Sequence, residues 1–258
     1  MKHFLSTLCL LAIIVSGTAA WCYQLEDYSF YIKVDSGISC SECANIAAPN
    51  PPWNPAVQGY NALLGNCPIA GLSVGCEFWD VLDLEVNASN RSLFKYRKFQ
   101  TPTTGGGSYT REFDLNVTSI LFAINLLGRG IPYLHWDIGC GAIYPLIGTG
   151  LGSSNLLITN YRTTGLPPTG NSAPYASFSA ENQYTLRKNF TYTILAGLEY
   201  NHDDRWAIGT GYRWFNAGHF KGPRYQRVAS GSAVDVACDA WEMRFRANEW
   251  FIEFKIFI

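Results

Sequence analysis

The sequence predicts an all-β chain folded as an eight-stranded antiparallel up-and-down transmembrane β-barrel. Three observations predict it: eight runs of alternating apolar and polar residues, an apolar leader at the N-terminus, and a composition of 15% charged and 15% aromatic residues. Typical soluble domains carry about 25% charged residues, so the chain is poor in charge. Few charges and many aromatics suit a protein whose solvent is partly lipid.

Residues 1–20 read as a secretory signal peptide. Lys2 precedes an apolar run from Phe4 to Val15, and the small residues Ser16, Gly17, Thr18, Ala19 and Ala20 suit cleavage before Trp21. The run is too short for a membrane helix, which needs about 20 apolar residues. No later run is long enough either, because the stretch from Ile120 to Leu127 is broken by Asn125 and ends at Gly128. A membrane-spanning reading of residues 21–258 therefore requires strands, and only a closed barrel pairs every backbone group without water.

Side chains of a strand switch face at every residue, so each run is testable by parity. The first places Tyr28, Phe30, Ile32 and Val34 outward, with Ser29, Lys33, Asp35 and Gly37 inward. The second places Leu72, Val74, Cys76 and Phe78 outward against Ser73, Gly75 and Glu77. A turn at Trp79 and Asp80 leads to the third, with Leu82, Leu84, Val86 and Ala88 outward and Asp83, Glu85 and Asn87 inward. In the fourth, Phe113 to Leu127, residues Ile120, Phe122, Ile124 and Leu126 face out, and the upper half switches phase. After Gly128, Arg129 and Gly130, the fifth places Leu134, Trp136, Ile138, Cys140 and Tyr144 outward against His135, Asp137, Gly139 and Gly141. The sixth sets Phe190, Tyr192, Ile194, Ala196, Leu198 and Tyr200 against Thr191, Thr193, Gly197 and Glu199. Past the turn at Asn201 to Asp204, the seventh sets Trp206, Ile208, Tyr212 and Trp214 against Arg205, Gly209, Gly211 and Arg213. The eighth sets Trp250, Ile252, Phe254, Ile256 and Ile258 against Glu253 and Lys255.

Short turns follow strands two, four and six. Four long connections remain, at about residues 39–68, 98–112, 147–189 and 216–243. Short turns at one end and long loops at the other are the asymmetry of bacterial outer-membrane barrels, which expects periplasmic termini and extracellular loops. A secreted β-sandwich would also show short alternating strands. It does not account for the Trp and Tyr near strand ends, which an aromatic girdle explains.

Three stretches carry a family resemblance: Ser73 to Val86 (SVGCEFWDVLDLEV), Pro132 to Gly141 (PYLHWDIGCG) and Ala196 to Phe215 (AGLEYNHDDRWAIGTGYRWF). Together they resemble the eight-stranded outer-membrane barrels grouped as opacity-protein-like surface antigens, related to the outer membrane protein A type of barrel domain. The resemblance implies outer-membrane lipid and the barrel-insertion machinery as partners. The chain departs from the family pattern in ending at Ile258 rather than an aromatic, and in its seven cysteines beyond the leader. It also shows no peptidoglycan-binding segment after the last strand, so a cell-wall anchoring role is not expected.

Parity points Lys33, Asp35, Glu77, Asp83, Glu85, Asp137, Glu199, Arg205, Arg213, Glu253 and Lys255 into the lumen. Both signs occur, and a lumen of eight strands is just wide enough for side chains to fill. The expectation is a plugged polar core, with a small porin or channel as the alternative. His135 and Asp137 share a face and could act as base and orienter, yet no nucleophile motif accompanies them, so an enzyme is not expected and a lipid-modifying enzyme ranks last. No cofactor or metal is expected: Cys40 and Cys43 form a Cys-x-x-Cys with no second pair at finger spacing. Cys40, Cys43, Cys67 and Cys238 fall in the first and fourth loops, which become neighbours on closure, and are disulfide candidates. Connectivity stays open.

Removing the leader leaves 18 Lys and Arg against 20 Asp and Glu, a formal charge of −2, so nucleic acid is not an expected partner. The Asn-x-Ser/Thr matches at Asn87, Asn90, Asn116 and Asn189 fall mostly in strands and read as chance. Function is expected in the loops, as a structural or adhesin-like surface role with a host or surface ligand. The third loop, with Tyr161, Tyr175, Phe178 and Tyr184 among small polar residues, is its best seat.

Overall fold

A computed structural model of the chain describes residues 28–42, 64–100, 108–166, 175–179, 184–221, 225–228, 235–237 and 242–258. The leader at 1–20, Cys43 and Cys238 lie outside the described residues. The strands are β1 Tyr28–Ser41, β2 Asn66–Phe78, β3 Leu82–Gln100, β4 Ser108–Leu127, β5 Trp136–Ile138 and β6 Gly141–Leu166. They continue with β7 Tyr175–Ser179, β8 Tyr184–His202, β9 Trp206–Lys221, β10 Tyr225–Val228, β11 Asp235–Ala237 and β12 Glu242–Phe257.

Backbone pairing leads from β1 through β2, β3, β4, β6, β8, β9 and β12 and back to β1, every pair antiparallel. The ladder is a closed eight-stranded barrel, as the alternation predicts. Closure removes the unpaired edge that an open sheet would present. The remaining four strands are accessories: β5 pairs with the foot of β6, while β7, β10 and β11 extend β6 sideways at the loop end.

The strands run further than the sequence reading allowed, and the loops are correspondingly shorter. The region read as a third loop, 147–189, is strand up to Leu166 and again from Tyr184. The other three connections shrink likewise, to the residues between Ser41 and Asn66, Gln100 and Ser108, and Lys221 and Glu242. The inner face of β6 explains the misreading. Gly148, Gly150, Gly152 and Ser154 face the lumen there, so alternation shows as small residues against Ile147, Thr149, Leu151 and Ser153. Small residues are required because the opposing strand fills the space: a Cβ on Gly148 would sit 1.9 Å from the Asn125 Oδ1. The fifth strand was also misplaced. Its predicted first half forms an exposed segment and the short β5, and Tyr144, expected outward, is fully buried in the lumen.

Along the axis the barrel has two storeys, and their polarity is opposite. Toward the turn end of β4, Ile120, Phe122, Ile124 and Leu126 are exposed while Ser119 and Asn125 are buried. Toward the loop end the same inward parity carries Phe113, Leu115 and Val117. The backbone does not change phase at this point; the chemistry of each face does. β12 repeats the pattern, with buried Met243, Phe245 and Ala247 giving way to buried Glu249, Glu253 and Lys255. A wall facing lipid must be apolar outside, whereas a wall facing water must be polar outside and can be apolar within. The level of inversion therefore marks where the wall leaves an apolar solvent.

Candidate functional site

The turn-end storey of the lumen is filled by one connected polar network. Lys255 Nζ lies 2.5 Å from Glu77 Oε1 and 3.0 Å from Glu199 Oε2, and Tyr144 donates to Glu199. Tyr31 donates to Asp83 at 2.6 Å and Glu85 at 3.1 Å. Lys33 pairs with Glu85 and, at 3.0 Å, with Glu253. Asn87 donates to Asp35 at 3.0 Å and Ser73 at 2.8 Å. Close to the inversion, Glu249 accepts from Ser39, from Arg213 at 2.7 Å, and from Arg91 through two nitrogens. Arg91 also donates to Ser119 and stacks over the Phe215 ring at 3.7 Å.

Nine of the eleven charges assigned to the lumen by parity are buried there: Lys33, Asp35, Glu77, Asp83, Glu85, Glu199, Arg213, Glu253 and Lys255. Two are not. Asp137 lies on β5 at the turn end and is exposed, and Arg205 is exposed in the β8–β9 turn. Both keep the inward parity but stand beyond the end of the pleat that parity describes. Arg91 and Glu249, which anchor the top of the network, are both fully buried and were missed. Their signal was available: Arg91 continues the inward series Asp83, Glu85, Asn87, and Glu249 precedes Glu253 by four residues.

The loop-end storey holds an apolar cluster including Leu64, Phe94, Tyr96, Phe113, Leu115, Val117, Leu156, Ile158, Phe215, Phe220, Met243 and Phe245. Tyr96 stacks on Phe113 at 4.7 Å, and Phe94 and Phe215 both meet the edge of Phe245. Charges fill the lower lumen and rings the upper.

Beneath the network, three turns are tied together. Arg129 in the turn after β4 reaches Asp204 in the β8–β9 turn and, at 3.3 Å, Asp80 in the β2–β3 turn. The hydrogen bond from Arg129 holds the Asp204 carboxyl below the ordinary aspartate range. Asp80 and Asp204 occupy equivalent turn positions, each with positive φ, 58° and 54°.

His135 and Asp137, expected to share the lumen, lie instead at the turn end, so the luminal base-and-orienter pair is not formed. Cys40 and Cys67 carry free thiols, one register step apart on β1 and β2. Cys76, which the alternation points outward, is buried, and Cys140 is exposed in the β5–β6 turn. Among the described residues, no group of three or more His, Cys, Asp or Glu is placed to hold a metal ion. At the opposite end, β6, β7, β10 and β11 form a side sheet, which joins the third and fourth connections by backbone pairing.

No family model matches the sequence, and no curated protein matches it. Among solved structures, neisserial surface protein A is 14% identical over 90% of this chain and 99% of its own, with a TM-score of 0.44. OprG of Pseudomonas aeruginosa is 12% identical over 91% of this chain and 98% of its own, with a TM-score of 0.47. The attachment invasion locus protein Ail of Yersinia pestis is 12% identical over 86% of this chain and 97% of its own, with a TM-score of 0.30. None of these likenesses is strong enough to carry a conclusion, and the architecture rests on the ladder itself. Closed through eight antiparallel strands, charged within and apolar without toward its turn end, the chain has the fold of an eight-stranded transmembrane β-barrel of the outer-membrane type.

Proposed function

We propose that this is an outer-membrane surface protein of a Gram-negative bacterium whose barrel is a plugged scaffold and whose loop end carries an interaction role. Its loops face outward and its termini the periplasm. The observation that carries the reading is the side sheet β6–β7–β10–β11, which makes one surface from two separate connections. Loops on a rigid scaffold are where binding usually sits. The partner class is a host or surface ligand, and the barrel itself meets outer-membrane lipid and the insertion machinery.

Deleting residues 167–183 removes the β6–β8 connection with β7 but leaves the staves intact. The shortened protein is expected to keep the heat-shifted gel migration of a folded barrel and to lose adhesion to surfaces that the parent binds. Adhesion equal to the parent would remove this loop from the interaction role. Loss of heat-shifted migration in the parent protein would remove the barrel reading. The porin alternative is weakened by the two filled storeys, since pairs from Lys255–Glu77 to Arg91–Glu249 span the lumen below the aromatic cluster. Planar bilayers containing the purified protein are expected to show no stable porin-sized conductance.

A further inference from the structure

Past the last rung of β4 the chain does not turn tightly back into the wall. Between Leu127 and Gly141 it makes the longest of the three turn-end connections, and its apolar side chains are turned out. Ile131, Tyr133, Leu134, Trp136 and Ile138 are all exposed, Tyr133 to 96%. Tyr133 also takes a left-handed φ of 70°, which a bulky residue rarely adopts. Five large apolar side chains in one short segment make a patch of the kind that marks contact with a membrane or a partner protein.

The segment is held at both ends. At its root, Leu127 N–H donates to the Val81 carbonyl at 2.7 Å and Gly130 N–H to the Asp80 carbonyl at 2.8 Å. Gly130 is pressed so closely on that turn that a Cβ would stand 2.9 Å from the Trp79 carbonyl oxygen. The backbone then turns twice, Ile131 N–H donating to the Gly128 carbonyl and Leu134 N–H to the Ile131 carbonyl. At the far end β5 is laddered to β6. The exposed side chains therefore stand on a fixed backbone.

Register shows which surface they continue. β4 leaves β6 at Leu127↔Leu146, and β6 runs on toward the turns as far as Gly141. β8 covers one edge of that foot and β5 the other, through Trp136↔Ile143 and Ile138↔Gly141. Directly opposite residues share a face, so Trp136 lies in one outward row with Ile143, Tyr200 and Ile208. Beside this row Trp206 meets Tyr200 at 5.8 Å and Phe254 at 6.3 Å. Tryptophan and tyrosine gather where hydrocarbon gives way to headgroups. The outward face of β5 thus continues the lipid-facing wall, and Asp137, opposite Ala142, lies on its other face.

The backbone fixes the depth. Among the described residues β5 is laddered to β6 alone, so its second edge carries N–H and C=O groups that need water. Its apolar side chains need to leave water. Both needs are met in the layer between hydrocarbon and bulk water, where amphipathic segments lie flat.

We infer that the β4–β6 connection is a membrane-interface anchor, with Ile131, Tyr133, Leu134, Trp136 and Ile138 seated among phospholipids at the glycerol and upper acyl level of the turn-side leaflet. The inference rests on the membrane-spanning reading proposed above. Arg129, the one Lys or Arg of the connection, is engaged by Asp80 and Asp204. The contact is therefore apolar and indifferent to headgroup charge.

The test uses the full unmodified protein folded into phosphatidylcholine vesicles, with heat-shifted migration showing a folded barrel. Hydroxyl-radical oxidation read by peptide mass spectrometry reports how much water reaches Tyr133. The protein itself leaves that ring 96% exposed, so protection in these vesicles comes from lipid. Tyr133 is expected to oxidise at least about tenfold more slowly than in the free peptide Arg129–Asp137, and equally slowly when phosphatidylglycerol is added. Oxidation at the rate of the peptide overturns the anchor. Protection that appears only with phosphatidylglycerol overturns its apolar character, and with it the proposal. p-Benzoylphenylalanine in place of Tyr133 then identifies the contact in cells expressing the protein. Photo-adducts of phospholipid mass support the anchor, and adducts to another protein in their place overturn it in favour of a docking surface for that partner. Failure of heat-shifted migration in the unmodified protein counts against the membrane barrel instead.

Discussion

Glu249 is where the cost of burying charge is concentrated. It is fully buried with Arg91 beside it and Arg213 below, so its removal leaves two guanidiniums without their shared carboxylate. Breaking a buried ion pair from one side costs about 3–5 kcal/mol. Glu249→Gln is therefore expected to lower the unfolding free energy of micelle-bound protein, obtained from urea titration followed by tryptophan fluorescence, by an amount in that range. Replacing Glu249 and Arg91 together by Leu and Met is expected to be milder than the single change. At the turn end, Asp204 gives a pH dependence of known sign. Its folded-state carboxyl lies below the unfolded value of about 3.9, so the Arg129 contact stabilises above that value and is lost as pH falls through the lower one. Asp204→Asn is expected to reduce stability at pH 7 and to match the parent well below pH 3.9. The pair is half exposed, so the difference is small, within about 1 kcal/mol. Parity was sufficient to place Lys33 or Glu253 inside, because alternation is a property of the pleat. It misassigned Asp137 and Arg205, whose surroundings are decided by where a strand stops, and strand ends are set by turns and pairing rather than by period.

Among the strands, the irregularities cluster at the loop end and are each held by an amide or carboxylate side chain. β3 slips register against β4 between Arg91 and Phe94, and Leu93 there takes φ +65°. Its N–H donates to Asn116 Oδ1 at 2.8 Å. β6 slips at Asn160, φ +53°, whose amide donates to Asp114, and β9 slips near Gly218, φ +70°, whose N–H donates to Asn216. Bulges add a residue and increase local twist. In β3 the extra residue keeps Phe94 and Tyr96 inward after Arg91, and without it Leu93 and Lys95 would face the core. Asn116→Ala is expected to cost about 1 kcal/mol, read as a lowered urea midpoint, with heat-shifted migration retained. These bulges explain much of what stayed hidden in the sequence. A one-residue slip flips every later side chain to the other face, so a fixed parity fails beyond it. The fourth strand was the converse case. Its phase reads as switched only if apolar residues on one face mean lipid, whereas Phe113 and Leu115 face a dry core. β6 was lost to its own glycines, since a face made small to admit Asn125 and Thr193 carries no hydropathy to read.

For the barrel as a whole, the number of staves and their order were legible because both follow from counting turns. The filling of the lumen was legible only in its charged half. The side sheet at the loop end was not legible, since the pairing that completes it, Gln226 to Val228 with Ser179 to Ser177, joins two separate connections across a sequence separation that no local pattern records. The inversion of polarity between the storeys has a consequence for how the molecule is made. Uncoil the barrel into an open sheet and neither side is fit to rest on a bilayer: each carries an oily half and a charged half, in opposite positions. A partly assembled sheet has no stable resting place in water or in lipid. Rolling up and sinking in must then be a single act, with the seam between β1 and β12 sealing as the wall enters. Fluorophores across that seam, at Ser36 and Ile252, and a lipid-sensitive dye on Ile124 are expected to report with one shared time constant when urea-unfolded protein is diluted into vesicles. A seam that sealed long before the dye met lipid would show that the chain has somewhere to wait.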